Sequence, residues 1–551
     1  MPVNNDIVAK EKSRPNPWRH RSNLLDGSRW GFEANQDFVM PEYLFDEADS
    51  ESVKTALANF VEKHYNNQVE RLITLERYYQ GESDIHFWNS ERSPYRADNR
   101  VANNIARYIT NVRVGYQFGN PIKYGFSDPD DPKNDGRELL DTLTQFNNRN
   151  DEPYHNKIMG QDLCNTGRAY ELMYVKQGTN QVVIKRVDPV NAFVVYGATV
   201  EHNPLFGVRY FLVSYNNIET YHFEAYTENY VYYFESQNSP IATMTEESER
   251  TKHNFDGVPL VEYSLNDERI GLWEPNIDMI DALDKSTSEM TNSQENIGNA
   301  ILVVTGINAA GGQKPLLDGH GNPVTNENGE IMMIPTDIDP KLPVMQLEPS
   351  VIDVPGSTPI VVQPKAEYLT KSLDPQGWKI FTDMLISSIH KYTNTPDVND
   401  EKFSGNASGV AMSYKLWGAD QERAIQQSMF NRGLSKRLAL LFNYLRNSKK
   451  KDVLPELVDN ITEDYTPNLP KNDKEVAEVM VSLAKTGDFS AHTLRKMGEV
   501  ITGTPADRED TLNEEEQNKD ANDIKEMTRN AKTGGDPFDT DDNQGETESK
   551  N

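Results

Sequence analysis

"PNIDMIDALDKSTSEMTNSQENI" occupies residues 275–297. Ile277, Leu283, Met290 and Ile297 recur at steps of about seven, drawing one narrow apolar stripe along a helix predicted over 275–300. The other faces carry Ser, Thr, Asn, Gln, Asp and Glu. So thin a stripe does not fill a deep core. It predicts a helix standing in a layer of helices, side by side, with one polar side toward water. "AILVVTG" (300–306) follows as a strand.

Downstream, residues 307–365 form a Gly- and Pro-rich insertion in which "LLDGHGNPVTNENGEIMMI" reads as short strands joined by tight turns. Helix returns at 374–393, with Trp378, Phe381, Leu385, Ile389 and Tyr392 at spacings of three and four. "NTPDVNDEKFSGNASGVAM" (394–412) interrupts it: a helix ends before Pro396, an acidic loop follows, and helix resumes near Ser408. From there to Arg446 a single helix would be roughly 60 Å long at 1.5 Å per residue. Gly418 and Gly433 are its candidate bend points. Two shorter helices, at 472–485 and 490–502, precede the tail. Residues 506–551 hold 15 acidic and 6 basic residues and few large apolar ones, so much of that tail is expected to be disordered.

Upstream, apolar residues from Val53 to Tyr79 mark a helix over 52–80 stopped by Gly81, and a second runs near 101–118. Shorter helices are predicted at 137–149 and 153–166. From Arg168 to Tyr263 the texture becomes Tyr-, Phe- and Val-rich with period-two alternation, the signal of half-exposed antiparallel strands. The fold class is α+β, mainly helical.

The chain has 551 residues, with 86 Asp+Glu against 56 Lys+Arg and a formal charge of −30. Tight grip on nucleic acid draws on phosphate neutralisation by basic side chains, so tight DNA binding over the whole surface is not expected. Letting DNA pass is a different task, and a negative wall suits it. The lone Cys164 rules out an intrachain disulfide framework and suggests a reducing compartment. No apolar run is long enough to span a membrane and no signal-peptide core is seen. Residues 1–30 are mildly basic and read as a mobile arm.

Motifs for chemistry are sparse. "GNASGVAMSYK" (405–415) has glycines but lacks the Lys-Ser/Thr of a phosphate loop, and neither a G-x-S-x-G elbow nor H-E-x-x-H occurs. "DGHGNPVTNENG" (318–329) lacks the register of a calcium loop and reads as turns. Cys164 reads as a small core hydrophobe. No cofactor, no metal and no catalytic residue are expected.

Six stretches in series carry a resemblance. They are "LERYYQGESDI" (75–85), "DNRVANNIARYITNVRVGYQFGNPIKY" (98–124), "RVDPVNAFVVYG" (186–197), "HNFDGVPLVEYSLN" (253–266), "LWEPNIDMIDALDKSTSEMTNSQENI" (272–297) and "TPDVNDEKFSGNASGVAMSYKL" (395–416). Together they resemble the tailed-bacteriophage portal proteins of the SPP1-type (Gp6-like) family. The resemblance implies a non-enzymatic subunit of a cyclic ring, usually of twelve, at one capsid vertex. Double-stranded DNA would be packaged and ejected through its channel.

Carried onto this chain, the resemblance implies an N-terminal arm at 1–45, a wing at 46–270, stem helices at 271–300 and 366–394, and a clip at 301–365. It further implies a tunnel loop at 395–407, a long kinked wing helix at 408–447, a crown at 448–505 and an acidic tail at 506–551. Asp397, Asn399, Asp400, Glu401, Lys402 and Phe403 would face DNA. Pro396, Gly405, Gly409, Gly418 and Gly433 would give the turn and hinges into the long helix. Gln313, Lys314, Asp318, His320, Asn322, Asn326, Glu327 and Asn328 would present the clip's docking surface. Implied partners are further copies of the chain, DNA of any sequence, the terminase large subunit, scaffold and major capsid protein, and head-completion or adaptor proteins, with no membrane. The implied location is the virion, after synthesis in the host bacterial cytoplasm. The alternative is another ring-forming phage connector or tail structural protein. A plain helix–helix connector remains the alternative reading of 395–407.

Overall fold

The computed structural model describes residues 30, 32–88, 97–127, 136–297, 301–305, 313–316, 318, 321–326, 328–335, 350–352, 355–356, 358, 360–362, 365–369, 374–397, 409–449, 458–468, 473–502, 506, 508–516 and 519. Two compact units divide the chain, Met1–Asn468 and Leu469–Asn551.

The first unit opens with strand β1 (Phe38–Met40), then helices α1 (Ser50–Asn67) and α2 (Val69–Gln80). One continuous helix was expected over 52–80. The break falls at Gln68, a buried residue whose amide donates to the Gln36 carbonyl at 2.8 Å and accepts from Arg168 at 3.3 Å. Helix α3 (Ile105–Phe118) starts four residues later than its apolar pattern suggests, after Asn104 in the left-handed region (φ 38°). Strand β2 (Lys123–Phe126) and helices α4 (Arg137–Asn150) and α5 (Glu152–Thr166) follow. Gly167 closes α5 at φ +79°, where a side chain would sit 2.3 Å from the Arg269 carbonyl oxygen.

Strands β3 (Arg168–Lys176), β4 (Gln181–Val187) and β5 (Ala192–Gly197) come next. After them come β6 (Pro204–Tyr215), β7 (Ile218–Tyr226), β8 (Tyr230–Gln237), β9 (Thr245–Lys252) and β10 (Leu260–Ser264). They make a six-stranded sheet in the order β1-β5-β6-β7-β8-β9 and a three-stranded sheet β10-β3-β4. All pairings among β3–β10 are antiparallel, as the alternation predicts; β1 adds a parallel partner to β5. Helix α1 lays Val53, Leu57, Phe60 and Val61 on one face of the larger sheet, against Phe193, Val195, Phe206, Val208, Phe223 and Phe234. Tyr170, Leu172, Val194, Tyr196 and Leu260 join a separate cluster drawn from both sheets. Strand β5 is therefore buried throughout, and "AFVVYG" is apolar without alternation for that reason.

Helix α6 (Ile277–Ile297) leads to strand β11 (Ile301–Thr305). The insertion contains β12 (Gln313–Pro315), β13 (Met333–Pro335), β14 (Ser350–Ile352) and β15 (Ile360–Val362), and ends at β16 (Lys365–Leu369). These strands pair as β11–β16, β12–β13 and β14–β15, all antiparallel. Helix α7 (Pro375–Tyr392) packs along α6, and α8 (Gly409–Lys449) runs as one helix of 41 residues. Strand β17 (Ile461–Asp464) pairs with β2, which keeps 458–468 with the first unit. The second unit holds α9 (Asp473–Thr486) and α10 (Ala491–Thr502), with a helical stretch at 508–516. There Asp510 meets both His492 and Arg495.

Candidate functional site

Helix α6 is fixed at its start. Glu274 receives two hydrogen bonds from Arg71 of α2, at 2.7 and 2.5 Å, and Arg71 also donates to the carbonyls of Thr166 and Arg269. Beside them Trp273 is fully buried and donates its indole N–H to Thr110 at 3.1 Å. "LWEPN" is thus a joint between α2, α3 and α6.

The polar faces of α6 do not simply meet water. Ile277 and Leu283 of the apolar stripe are buried, with Ile280 beside them, and Met290 is half-buried; but Asp284, Ser288 and Asn292, on the polar faces, are buried too. The extended segment 99–103 lies along them, antiparallel to the helix. Asp284 Oδ1 accepts from the Asn103 backbone N–H (2.8 Å), Ser288 Oγ from Val101 (2.9 Å), and Asn292 Oδ1 from Asn99 (2.6 Å). Four helical residues rise about 6 Å and two extended residues about 6.6 Å, so the two repeats stay nearly in step. Asp284 also takes the Asn103 amide at 2.9 Å and the Ser83 hydroxyl at 2.5 Å. Asp284, Ser288 and Asn292 are spaced by four, but no sequence pattern sets them apart from the other polar residues of α6, and their partner is an unpatterned stretch. The same ladder explains why α3 starts late.

Helix α7 turns Thr382, Leu385 and Ile389 inward and leaves Ile380 67% and Met384 55% exposed, with Phe381 and Tyr392 exposed beside them. On α8, Trp417 and Ile425 are each 64% exposed. An apolar stripe of this kind on a helix is open for contact with another chain.

At the end of α7, Thr393 caps the helix and Asn394 adopts φ 46°, a left-handed C-terminal stop. His390 Nδ1 lies 2.9 Å from the Thr395 carbonyl, and Tyr108 of α3 donates its hydroxyl to Asp397 at 3.4 Å. Pro396 and Asp397 are half-buried. Asn399, Asp400, Glu401, Lys402, Phe403 and Gly405 lie outside the described residues. Gly409 is the first residue of α8. Gly418 lies near the Asn394 side chain, and Gly433 backs onto the Tyr263 ring, where a Cβ would come within 2.3 Å. Gly433 therefore serves close packing between α8 and β10.

In the insertion, Gln313 and Lys314 belong to β12. Asp318 Oδ1 accepts from the Asn322 N–H at 2.9 Å, and Asn326 Oδ1 from the Asn328 and Glu330 N–H groups at 3.0 and 2.9 Å. That is turn chemistry. Asp318, Asn322, Asn326 and Asn328 are exposed, while His320 and Glu327 lie outside the described residues.

No residue pattern hints at the ion cluster that ties α8 to the sheets. Arg437, fully buried, donates to both carboxylate oxygens of Glu171 (2.9 and 2.5 Å) and to Asn156 at 3.2 Å. His155 Nε2 and the Tyr263 hydroxyl reach the same carboxylate at 2.6 and 3.2 Å. Burial pushes the Glu171 carboxyl up, but Arg437 and His155 outweigh it and hold its pKa at about 2. Elsewhere, burial drives the His64 imidazole down to about 3 and the Cys164 thiol up to about 12, so both stay neutral. Among the described residues no helix is long and apolar enough to cross a membrane, and no group of three or more His, Cys, Asp or Glu is placed to hold a metal ion.

The profile of the family "Phage portal protein, SPP1 Gp6-like" matches residues 58–532. The portal protein of Bacillus phage SPP1 is 23% identical over 467 residues, covering 80% of this chain and 82% of the relative. The portal protein of Clostridium phage phiCD119 is 21% identical over 434 residues, 74% of this chain and 85% of the relative. A chain from the neck of an empty gene transfer agent particle superposes with a TM-score of 0.38 at 11% identity, covering 79% of this chain and 94% of that one. A match over so much of the length, with the six motifs falling in order along it, places this chain in the phage portal protein family of the SPP1 Gp6-like type.

Proposed function

We propose that the chain is the repeating subunit of a portal ring, a non-enzymatic channel through which double-stranded DNA enters and leaves a phage head. The observation that carries this is the α6–α7 pair. Two consecutive helices stand side by side, and the second exposes an apolar stripe that the described residues leave uncovered. A head-to-tail ring would cover it with the neighbouring copy. In this reading 46–270 and the long helix at 408–447 form the wing, 271–300 and 366–394 the stem, 301–365 the clip and 448–505 the crown. Pairing of β11 with β16 roots the insertion at the ends of the stem, which supports a projecting clip. There it would dock the terminase motor and later the head-completion proteins, while the wing meets scaffold and capsid protein.

Ring formation is the first test. Charge on the stripe, as Ile380→Glu with Met384→Glu, is expected to lower the fraction of protein in rings at least tenfold, read by negative-stain microscopy and light scattering. Both residues are exposed, so the circular dichroism of the subunit should be unchanged. Rings at the wild-type yield would remove α7 from the subunit interface.

Residues 395–407 would form the tunnel loop, with Asp400 and Glu401 repeated around the duplex. Charges there repel phosphate over about 8 Å at physiological salt. Asp400→Lys with Glu401→Lys is expected to cut packaged DNA severalfold while rings still form. Packaging at the wild-type level would take those two residues off the channel wall.

A further inference from the structure

Helix α8 is held to the body in two different ways along its length. From Met429 onward its inner face is mainly apolar: Phe430, Leu434, Leu438, Leu441 and Leu445 are all buried in the main core, and Arg437, bound to Glu171, is the buried charged exception. Between Leu416 and Gln426 the buried side chains are only Leu416, Ala419 and Gln426. One guanidinium stands in for the missing apolar contact there. Arg113 of α3, 3% exposed on its side chain, points its Nη1 to the Asn394 carbonyl (3.4 Å) and the Ala419 carbonyl (3.2 Å). Its Nη2 meets Gln426 Oε1 at 3.2 Å and Glu422 Oε2 at 3.4 Å. Its acceptors thus come from the end of α7 and from two successive turns of α8. Tyr116, one turn further along α3, donates to Asp420 at 3.0 Å, and Asp420 accepts from Arg423 at 2.8 Å.

We infer that Arg113 is a positioning residue: its hydrogen bonds, rather than apolar packing, set where the first half of α8 and the last turn of α7 lie on α3. A planar fork of donors can serve several acceptors from different elements at once, which a lysine ammonium on a single stem does poorly. A helix half anchored by polar contacts also opens at lower cost than one anchored in a core. Asn394 ends the helix before the stretch assigned above to the tunnel loop and Ala419 lies in the helix after it, so the guanidinium holds those two flanking helices together. This last step rests on the portal reading; the anchoring itself does not.

The test is peptide-resolved hydrogen exchange on the purified full chain, comparing wild type with Arg113→Met and Arg113→Lys. In Arg113→Met, amides of 393–397 and 416–426 are expected to exchange at least tenfold faster, and those of 429–446 less than twofold. Arg113→Lys should fall between, at about threefold. An equal rise in both halves of α8, or none, overturns the inference. Should Arg113→Met fail to fold, Gln426→Ala removes a single acceptor and is expected to speed exchange at 416–426 alone, by about threefold; no change there also overturns it. Rings of Arg113→Met are expected to package at least fivefold less DNA than wild-type rings, and equal packaging despite the local loosening overturns the positioning role. Failure of the wild-type chain to form rings counts instead against the portal reading, and the exchange pattern still decides the anchor.

Discussion

Glu171→Leu is expected to destabilise the first unit by about 3–5 kcal/mol, the range for breaking one side of a buried ion pair. The substitution leaves the Arg437 guanidinium buried with Asn156 and, at 3.5 Å, Glu152, and it strips partners from His155 and the Tyr263 hydroxyl. Calorimetry or urea unfolding reads the loss. The double variant Glu171→Leu with Arg437→Met should recover most of it, because two apolar side chains need no compensation. A single-variant loss under about 1 kcal/mol would mean that water or relaxation compensates the guanidinium. The cluster also sets a pH dependence. The folded pKa of Glu171, about 2, lies below the ordinary glutamate value of 4.5, so its contribution is present above about pH 4.5 and is lost as the pH falls toward 2. In Glu171→Leu that part of the acid sensitivity should vanish.

The second large effect is expected at Asp284. Asp284→Ala removes the acceptor for one backbone N–H, one amide and one hydroxyl at once. With each buried donor left unpaired costing about 1–3 kcal/mol, and some relaxing toward water, a loss of about 3 kcal/mol is expected. Faster hydrogen exchange should be concentrated at 99–103. Thr291→Ala, on the same helix, removes only a bond to the carbonyl of Thr287 and should stay within about 0.5 kcal/mol. Equal effects at the two positions would show that α6 is held by its apolar stripe alone.

These two sites mark where the sequence was legible and where it was not. Period and turn chemistry located most helices and the β-rich region, because an apolar stripe or an alternation is a local property. What escaped were contacts whose two halves lie far apart in the chain. Arg437 and Glu171 are 266 residues apart, and Asn103 and Asp284 are 181 apart; neither partner stands out alone. Gln68 looked like one more helical residue until its amide was seen to hold Gln36 and Arg168. At the site, the ends of α7 and α8 were legible from Pro396 and the apolar pattern that follows. The part played by Arg113 was not, since a buried arginine in a helix reads in sequence as an exposed one.

The ladder between α6 and residues 99–103 has a consequence for assembly. Sliding the helix by one turn, about 5.4 Å, would in one direction bring Ile280, which has no acceptor, to a rung, and in the other put Ser288 where Asp284 now takes three hydrogen bonds. Only one setting satisfies Asp284, Ser288 and Asn292 together, so the ladder works as a ruler that fixes the height of α6. Copies cut to the same ruler would carry their helices at one level, and a closed circle of them would have an even rim.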